Sequence, residues 1–319
     1  RYALAKDRWK NVELAVYHDP AHAYNVERMM TAMKASLDYF TANFSPFQFR
    51  QARILEFPAY ADFAQSFANT IPYSEGIGFI ADYRDPEKID MVTYVTAHEI
   101  AHQWWGHQVI SADQQGATFL IESLAQYSAL MVMEQMYGPE QIRKFLKYEL
   151  DRYLRRRGGE VLEELPLVRV ENQPYIHYQK GGLALYLLKD QIGAERVNEA
   201  LRSLLAEFAF KPAPYANPRD LLRRFRAVAG PEHEQLIADL FEKITLYDVK
   251  VTGAKSRRRD DGRWEVALEV EARKLYADGK GLETEAPLEE SFDVGAFTIE
   301  PGRKGYDKES VIAVERTTV

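Results

Sequence analysis

The sequence contains no cysteine in its 319 residues, which excludes a disulfide scaffold and a cysteine nucleophile. The missing cysteine suits an oxidising compartment but also occurs in cytosolic chains, so it does not assign a compartment. The sequence also lacks a large excess of charge of either sign, because it has 41 basic and 48 acidic residues. This balance gives no electrostatic reason to expect a nucleic-acid partner. No apolar run approaches the roughly 18 residues of a membrane helix. We therefore expect a globular chain with no membrane span and no nucleic-acid partner.

The chain is long enough for two folded units, at roughly 100 to 200 residues per domain. A strand pattern at residues 12–17 is followed by apolar residues at helical spacing over residues 24–44. Short strands are predicted at residues 51–57 and 78–81. Glycine and proline then separate roughly six predicted helical segments that end near Ile244.

The pattern changes to period two after residue 245, as at Tyr247, Val249 and Val251, which predicts a second, all-β unit. Because the chain begins on a strand pattern with no leader, we expect a segment of a longer protein. The predicted fold class is α+β, mostly helical, followed by a small sandwich-like β unit. The expected regions are the end of a preceding β region at residues 1–19, a main domain at 20–245 and a C-terminal β domain at 246–319.

Three of the seven histidines fall within ten residues, and His98, Glu99 and His102 form the pattern His-Glu-x-x-His. Positions i and i+4 share one face of a helix, so both imidazoles can bind one metal ion, while Glu99 stands beside it as a general base. Three protein ligands and an open position are typical of catalytic zinc, which lowers the pKa of a water molecule. The alternative is a buried, hydrogen-bonded histidine pair.

A third ligand is predicted from a separate element, at Glu122. This residue begins an apolar helical pattern in which an unpaired buried carboxylate is unfavourable, so it needs a cation. The alternative is a carboxylate that faces the positive end of the helix dipole. Gln126, one turn later, is either an outer residue that orients a ligand histidine or a solvated polar residue.

Four segments together resemble the zinc aminopeptidases of the aminopeptidase N and leukotriene hydrolase type, within the gluzincins. HEIAHQWWGHQ (residues 98–108) is similar to that family's HELAHQWFGN, and IESLAQYSA (residues 121–129) is similar to its NEGFASY segment. YQKG (residues 178–181) resembles the segment with the family's transition-state tyrosine, and EGIGFI (residues 75–80) resembles Glu-Asn-Trp-Gly-Leu-Ile. The sequences of residues 73–82 and 98–108 also resemble those of peptidase-like domains attached to bacterial transporter permeases.

The resemblance implies a thermolysin-like catalytic domain at residues 20–245 that holds one zinc ion and removes N-terminal residues from peptides. The implied zinc ligands are His98, His102 and Glu122, with Glu99 as general base and acid. Tyr178 is implied to donate a hydrogen bond to the oxyanion.

The resemblance further implies that Glu75 receives the free α-amino group of the substrate. An extended peptide substrate is then expected to pair with the edge strand near Glu75. The likeness to transporter-attached domains implies a larger membrane-associated protein with this domain outside the cytoplasm. On that basis a peptide-binding module without catalysis is an alternative to the enzyme.

The sequence departs from the family pattern at two places. Nineteen residues separate His102 from Glu122, one more than in the family, and a loop can absorb that residue. The Gly-x-Met before the amine-binding glutamate is replaced by Pro-Tyr-Ser at residues 72–74, and Asn by Gly76. An endopeptidase with the same zinc chemistry therefore stays an alternative. His107 and His177 are interpreted as either packed or substrate-proximal.

Overall fold

A computed structural model describes residues 1–85 and 88–318 of the chain. Its first sheet has the strand order β1-β2-β3-β4, in which β1 and β2 are antiparallel and β2, β3 and β4 are parallel. Alternate residues of the second strand, Val12, Leu14 and Val16, are buried against the core, as the period-two pattern predicts. The strands are β1 (Ala3–Trp9), β2 (Val12–His18), β3 (Gln51–Phe57) and β4 (Thr70–Ser74).

The fourth strand lies earlier in the chain than the sequence predicts. The prediction of a strand at residues 78–81 is wrong, because residues Glu75–Phe79 form a π-helical turn directly after β4. The Asn25 side-chain amide donates to the carbonyl of Gly78 at 2.7 Å and to that of Ala81 at 2.9 Å. These carbonyls are therefore bound by a side chain and do not join the sheet.

Residues 1–85 and 88–318 contain eight α-helices, whose bounds agree with the patterns of apolar residues and helix breakers. In α1 the residues Met29, Met33, Leu37 and Phe40 are fully buried at helical spacing, which confirms the predicted helix. Gly138 has a φ of 87° and ends α3, and Pro139 begins α4. The helices are α1 (Val26–Asn43), α2 (Met91–Ala101), α3 (Leu124–Tyr137), α4 (Pro139–Arg157), α5 (Gly181–Ile192), α6 (Ala194–Phe208), α7 (Pro218–Ala229) and α8 (Glu234–Ile237).

The last part of the chain consists of antiparallel strands, as the period-two pattern predicts. β5, β6 and β7 form one sheet and β8 and β9 form another. Buried Lys274 of β6 donates to Asp239 at 2.9 Å and so connects the three-stranded sheet to the helical part. The strands are β5 (Ile244–Arg258), β6 (Trp264–Ala277), β7 (Glu283–Ala286), β8 (Ser291–Phe297) and β9 (Val311–Thr318).

The protein is thus a mixed α+β structure of helices and small sheets. The three regions predicted at residues 1–19, 20–245 and 246–319 stay predictions, and Val319 lies outside the described residues. Within the described part of the chain, no helix is both long and apolar enough to cross a membrane.

Candidate metal centre and active site

Two histidines, one in the last turn of α2 and one directly after it, face each other in the interior of the protein. The Asp90 side chain accepts a hydrogen bond from the Thr93 backbone N–H at 3.0 Å and so caps the start of this helix. One turn separates His98 from His102, and their Nε2 atoms lie 3.0 Å apart. The two side chains are only 10% and 11% exposed. The predicted shared helix face is therefore present, and it is buried.

Glu122 approaches the two histidines from a separate π-helical turn, Phe119–Ser123, which leads into α3. Its Oε2 atom lies 3.3 Å from His98 Nε2 and 3.4 Å from His102 Nε2. Burial opposes ionisation of Glu122, but the neighbouring His102 and His98 rings outweigh it and lower the pKa of the carboxyl group. The third predicted ligand is thus an anion in contact with both imidazoles.

The donor atoms of these three residues fit a divalent cation. They all lie within 4.8 Å of one another. His102 Nδ1 lies 3.0 Å from the Trp105 carbonyl oxygen, which assigns the proton to Nδ1 and leaves a lone pair on Nε2. Two imidazole lone pairs and one carboxylate make the N₂O set of a catalytic zinc site. The alternative is that the two histidines bind only each other and no metal ion. In that case the buried Glu122 Oε2 atom would have no hydrogen-bond partner among the described residues, which is unfavourable.

Glu99 lies beside the histidine pair with its carboxylate buried. Among the described residues, none forms a hydrogen bond with its Oε2 atom. Burial raises the pKa of this carboxyl group, and the nearby histidines oppose that rise. A carboxylate in this environment is a stronger proton acceptor than one in water, as a general base requires.

Tyr178 lies on a third π-helical turn, Tyr175–Lys180, with its ring centroid 5.7 Å from that of His98. Burial, followed by the charge of Glu122, raises the pKa of its hydroxyl, which therefore stays a hydrogen-bond donor at neutral pH. The His177 ring packs edge-on against it at 4.5 Å, and burial lowers the pKa of His177 to about 4. His177 is thus a buried, neutral neighbour of Tyr178.

Five of the six predicted site residues line one cavity of about 390 Å³. Residues 63–66 form another part of its wall, together with His107. A larger cavity of about 570 Å³ lies elsewhere, between α4, α5 and the strands β5 and β8, and none of the predicted site residues lines it. The five residues that share the smaller cavity are His98, Glu99, His102, Glu122 and Tyr178.

Glu75 does not line this cavity. One of its carboxylate oxygens accepts a hydrogen bond from the Ala59 backbone N–H at 3.0 Å, and the other lies 3.7 Å from His22 Nδ1. Glu56 binds the same His22 nitrogen at 2.5 Å. The role of Glu75 as the amine-binding residue stays a prediction, and in this structure its carboxylate belongs to an ion-pair cluster.

The outer edge of β4 is covered by residues 63–67, which we call the covering segment. It runs antiparallel to β4 and forms two bridges with it. The Phe63 carbonyl accepts from the Ser74 N–H at 3.0 Å, and the Gln65 N–H donates to the Pro72 carbonyl at 3.1 Å. The pairing of a peptide with the edge strand near Glu75 stays a prediction, and in this structure the covering segment occupies the outward-facing hydrogen bonds of β4.

Sequence reasoning missed Gln103, which follows a predicted zinc ligand and holds the covering segment. Its side-chain amide donates to Ser66 Oγ at 2.6 Å and to the Phe67 carbonyl at 2.9 Å, and its oxygen accepts from the Asn69 N–H at 2.8 Å. The only signal in the sequence is an amide side chain inside a buried helical motif.

The predicted role of Gln126 as an outer residue that orients a ligand histidine does not match its observed hydrogen bond. Its amide donates to Glu149 at 3.4 Å. The Nδ1 atom of His98, the ring nitrogen that such a residue would bind, has no hydrogen-bond partner among the described residues.

The chain is similar in sequence to known aminopeptidases. It is 24% identical over 211 residues to endoplasmic reticulum aminopeptidase 2 of Homo sapiens, covering 63% of this chain and 22% of the relative. It is 22% identical over 291 residues to a leucyl aminopeptidase of Saccharolobus solfataricus, covering 89% of this chain and 36% of the relative. The chain therefore spans about a fifth to a third of the length of these relatives.

Solved structures show the same fold. An M1 zinc metallopeptidase from Deinococcus radiodurans superposes with a TM-score of 0.54 at 22% identity, over 75% of this chain and 50% of that one. A mutant form of the M1 zinc metallopeptidase from that organism, bound to the substrate Tyr-Ser-Ala, gives a TM-score of 0.54 at 22% identity, over 76% and 51%.

The model of the peptidase family M1 domain matches residues 24–243, which include every predicted site residue. This match covers more than half of the chain, and family membership implies one catalytic zinc ion. The chain belongs to peptidase family M1, a family of zinc metallopeptidases.

Proposed function

We propose that this chain hydrolyses peptide bonds with one zinc ion and removes N-terminal residues from peptides. The observation that carries the proposal is the convergence of three ligand atoms within 4.8 Å beside a buried carboxylate and a tyrosine hydroxyl. The names of the relatives, an endoplasmic reticulum aminopeptidase and a leucyl aminopeptidase, support the choice of an exopeptidase. The zinc ligands in this proposal are His98, His102 and Glu122.

A zinc ion with three protein ligands supplies Lewis acidity to a water molecule and to the substrate carbonyl. Glu99 accepts a proton from the attacking water and then donates it to the nitrogen of the leaving amine. Tyr178 donates a hydrogen bond to the carbonyl oxygen as negative charge develops on it. His98, Glu99 and His102 are buried, so the proton transfer at Glu99 takes place in a medium of lower dielectric constant than water.

The finer architecture belongs to the same proposal. We infer that residues 20–245 form a thermolysin-like catalytic domain and residues 246–319 a C-terminal β domain. The two segments that carry Glu122 and Tyr178 both lie in the first of these regions, as does α2. A peptide is the substrate in this proposal, and the place of the chain in a larger membrane-associated protein rests on the sequence resemblance alone.

An endopeptidase is the second candidate, and one observation favours it. The Glu75 carboxylate is bound by the Ala59 N–H and lies near His22, outside the cavity wall. A peptidase that lacks an amine-binding carboxylate in its cavity has no electrostatic reason to require a free N-terminus.

Peptides with free and with acetylated N-termini distinguish these activities. The zinc-loaded protein is incubated with matched pairs, and the products are identified by mass spectrometry. Trimming of the free peptides alone supports the aminopeptidase, and internal cuts in both sets support the endopeptidase. Glu99→Gln should abolish turnover while zinc stays bound, and Glu27→Gln, at an exposed position of α1, serves as the matched control. No cleavage by the unmodified protein would contradict both activities.

A further inference from the structure

The larger cavity of about 570 Å³ has the size of a ligand site, for which about 300–1,000 Å³ is typical. It lies between α4 (Pro139–Arg157), α5 (Gly181–Ile192) and the strands β5 and β8, and we call it the interhelical cavity. None of the six predicted site residues lines it, so the proposed chemistry does not account for it. An inference about this cavity therefore stands apart from the proposed peptidase function.

Two helices give the interhelical cavity apolar walls. On α4, the residues Ile142, Leu146 and Leu150 line the cavity at intervals of four residues, so they share one face of the helix. Leu183 and Leu187 of α5 show the same spacing. Leu150 is still 44% exposed, so the rest of the protein does not fully cover this apolar face. A ligand with an apolar chain would remove this surface from water, which favours binding.

The carboxylates of the interhelical cavity are already neutralised. Four of them line the cavity in the part of the chain that the structure describes, and each has an oxygen 2.5 to 2.9 Å from a lysine or arginine nitrogen. The pairs are Glu134 with Lys189, Asp190 and Asp293 with Arg316, and Asp239 with Lys274. These carboxylates therefore do not need a cationic ligand.

Arg143 is the one cation that lines this cavity without a carboxylate partner among the described residues. The other three cationic side chains of the wall are bound: two by the carboxylates named above, and Lys180, whose Nζ lies 3.5 Å from Glu164. Arg143 directly follows Ile142 and is half-buried, and within the described ranges its side chain takes part in no hydrogen bond or ion pair. Beside apolar side chains its guanidinium attracts an anion more strongly than in water, because the effective dielectric constant is lower.

We propose that the interhelical cavity binds a free medium-chain fatty acid, with its carboxylate on Arg143 and its acyl chain along the apolar faces of α4 and α5. A guanidinium donates two parallel hydrogen bonds to a carboxylate, which makes the pair strong and specific in orientation. One negative charge and an otherwise apolar body match one unpaired positive charge between apolar walls. A nucleotide fits less well, because its several negative charges exceed what one guanidinium neutralises.

Sodium decanoate is the probe, and its binding to the zinc-loaded protein is measured by isothermal titration calorimetry. Arg143→Gln should weaken this binding about tenfold, which corresponds to about 1.4 kcal/mol, because it removes the charge and keeps a polar side chain. Arg155→Gln is the matched control, since it makes the same change of charge at an exposed position of α4 outside the cavity wall. The affinity of Arg155→Gln for decanoate should equal that of the unmodified protein.

A second arm varies the ligand and uses the unmodified protein, so it decides the question if Arg143→Gln does not fold. Decanol has the same chain without the charge and should bind about tenfold more weakly than decanoate. Octanoate keeps the charge but is shorter by two methylene groups. It should bind about fifteenfold more weakly, because each buried methylene contributes about 0.8 kcal/mol.

The catalytic metal is a competing site for a carboxylate, so the titration is repeated after zinc is removed with a chelator. Equal affinity with and without zinc supports the proposal, and binding that requires zinc overturns it. Absence of decanoate binding, or equal affinities of Arg143→Gln and Arg155→Gln, also overturns it. If acetyl-leucyl-leucine with a free carboxyl group binds through Arg143 and decanoate does not, the cavity recognises the C-terminus of an apolar peptide instead. Decanoate binding through Arg143 in a protein that cleaves no peptide supports this proposal and contradicts only the peptidase function.

Discussion

The contact between the segments that carry Glu122 and Tyr178 predicts the effect of a single methyl group. Gly181 follows the turn with Tyr178, and a Cβ atom there would lie 2.1 Å from Ser123 Oγ and 2.6 Å from Ser123 Cβ. The backbone of Gly181 has φ −60° and ψ −47°, which alanine adopts readily. Gly181→Ala therefore tests the steric contact alone, without backbone strain.

The magnitude follows from three contributions. Overpacking a buried contact destabilises a protein by about 1–3 kcal/mol. Displacement of Ser123 also disturbs the hydrogen bond from its Oγ to the His177 carbonyl, which measures 2.6 Å and contributes about 1 kcal/mol. Replacing glycine by alanine in a helix opposes these two effects, because it stabilises the helix by about 1 kcal/mol. Gly181→Ala should therefore lower the free energy of unfolding by about 1–3 kcal/mol.

Urea unfolding of the zinc-loaded protein measures this change. Gly158→Ala is the matched control, because its φ is −65° and the nearest atom to a new Cβ is the Leu154 carbonyl oxygen at 3.5 Å. Combining Gly181→Ala with Ser123→Gly should destabilise the protein by less than the sum of the single changes, since the second change removes the obstructing atoms. The steric argument would be refuted if Gly181→Ala were as stable as the unmodified protein. It would also be refuted if Gly158→Ala and Gly181→Ala lowered the free energy of unfolding by the same amount.

The remaining predictions concern the metal, the oxyanion and pH. Removal of zinc with a chelator should lower the midpoint temperature of unfolding, and one equivalent of zinc should restore it. His98→Ala should abolish this effect of zinc in the same thermal scan. Zinc at 100 times its Kd contributes about 2.7 kcal/mol to the free energy of unfolding. Tyr178→Phe should lower kcat by about 10²–10³ with KM retained, and a change in KM alone would contradict an oxyanion role. The hydrogen bond to Glu56 raises the pKa of His22 above 6.5, so its stabilisation is fully present below that pH and is lost as pH rises through the folded-state pKa. His22→Gln should therefore destabilise the protein more at pH 5.5 than at pH 9 in urea unfolding, and an equal loss at both would contradict the ion pair. The carboxylates that face His22 are Glu56, Asp19 and Glu75.

Part of the candidate metal centre is predictable from the sequence, because two of its residues lie close together in the chain. His98 and His102 are one turn apart in a helix, so their convergence follows from helix geometry alone. Glu122 was predicted from the unfavourable burial of a charge, together with the family resemblance. Its distances to the two histidines, 3.3 and 3.4 Å, depend on how α2 and α3 pack, which no local pattern determines.

The strand next to the site was less predictable, because its position depends on a side chain far away in sequence. The pattern at residues 78–81 has the apolar character of a strand, but Asn25 binds the carbonyls of Gly78 and Ala81. β4 is instead Thr70–Ser74, and its register with β3 places Leu55 opposite Pro72. A strand pattern indicates that a segment can pair, but the available partners decide whether it does.

Pro72 changes the hydrogen-bonding capacity of β4. The substitution at residues 72–74 departs from the family's amine-binding motif, and its proline also removes one backbone N–H donor from the β4 edge. The structure covers that edge with residues 63–67, and the Gln65 N–H donates to the Pro72 carbonyl at 3.1 Å. Two features accompany this substitution: the Glu75 carboxylate is bound outside the cavity, and residues 63–66 form part of the cavity wall. Pairing between residues 63–67 and β4 is a contact between two segments that each look like a loop or an edge in isolation, so only the folded chain reveals it.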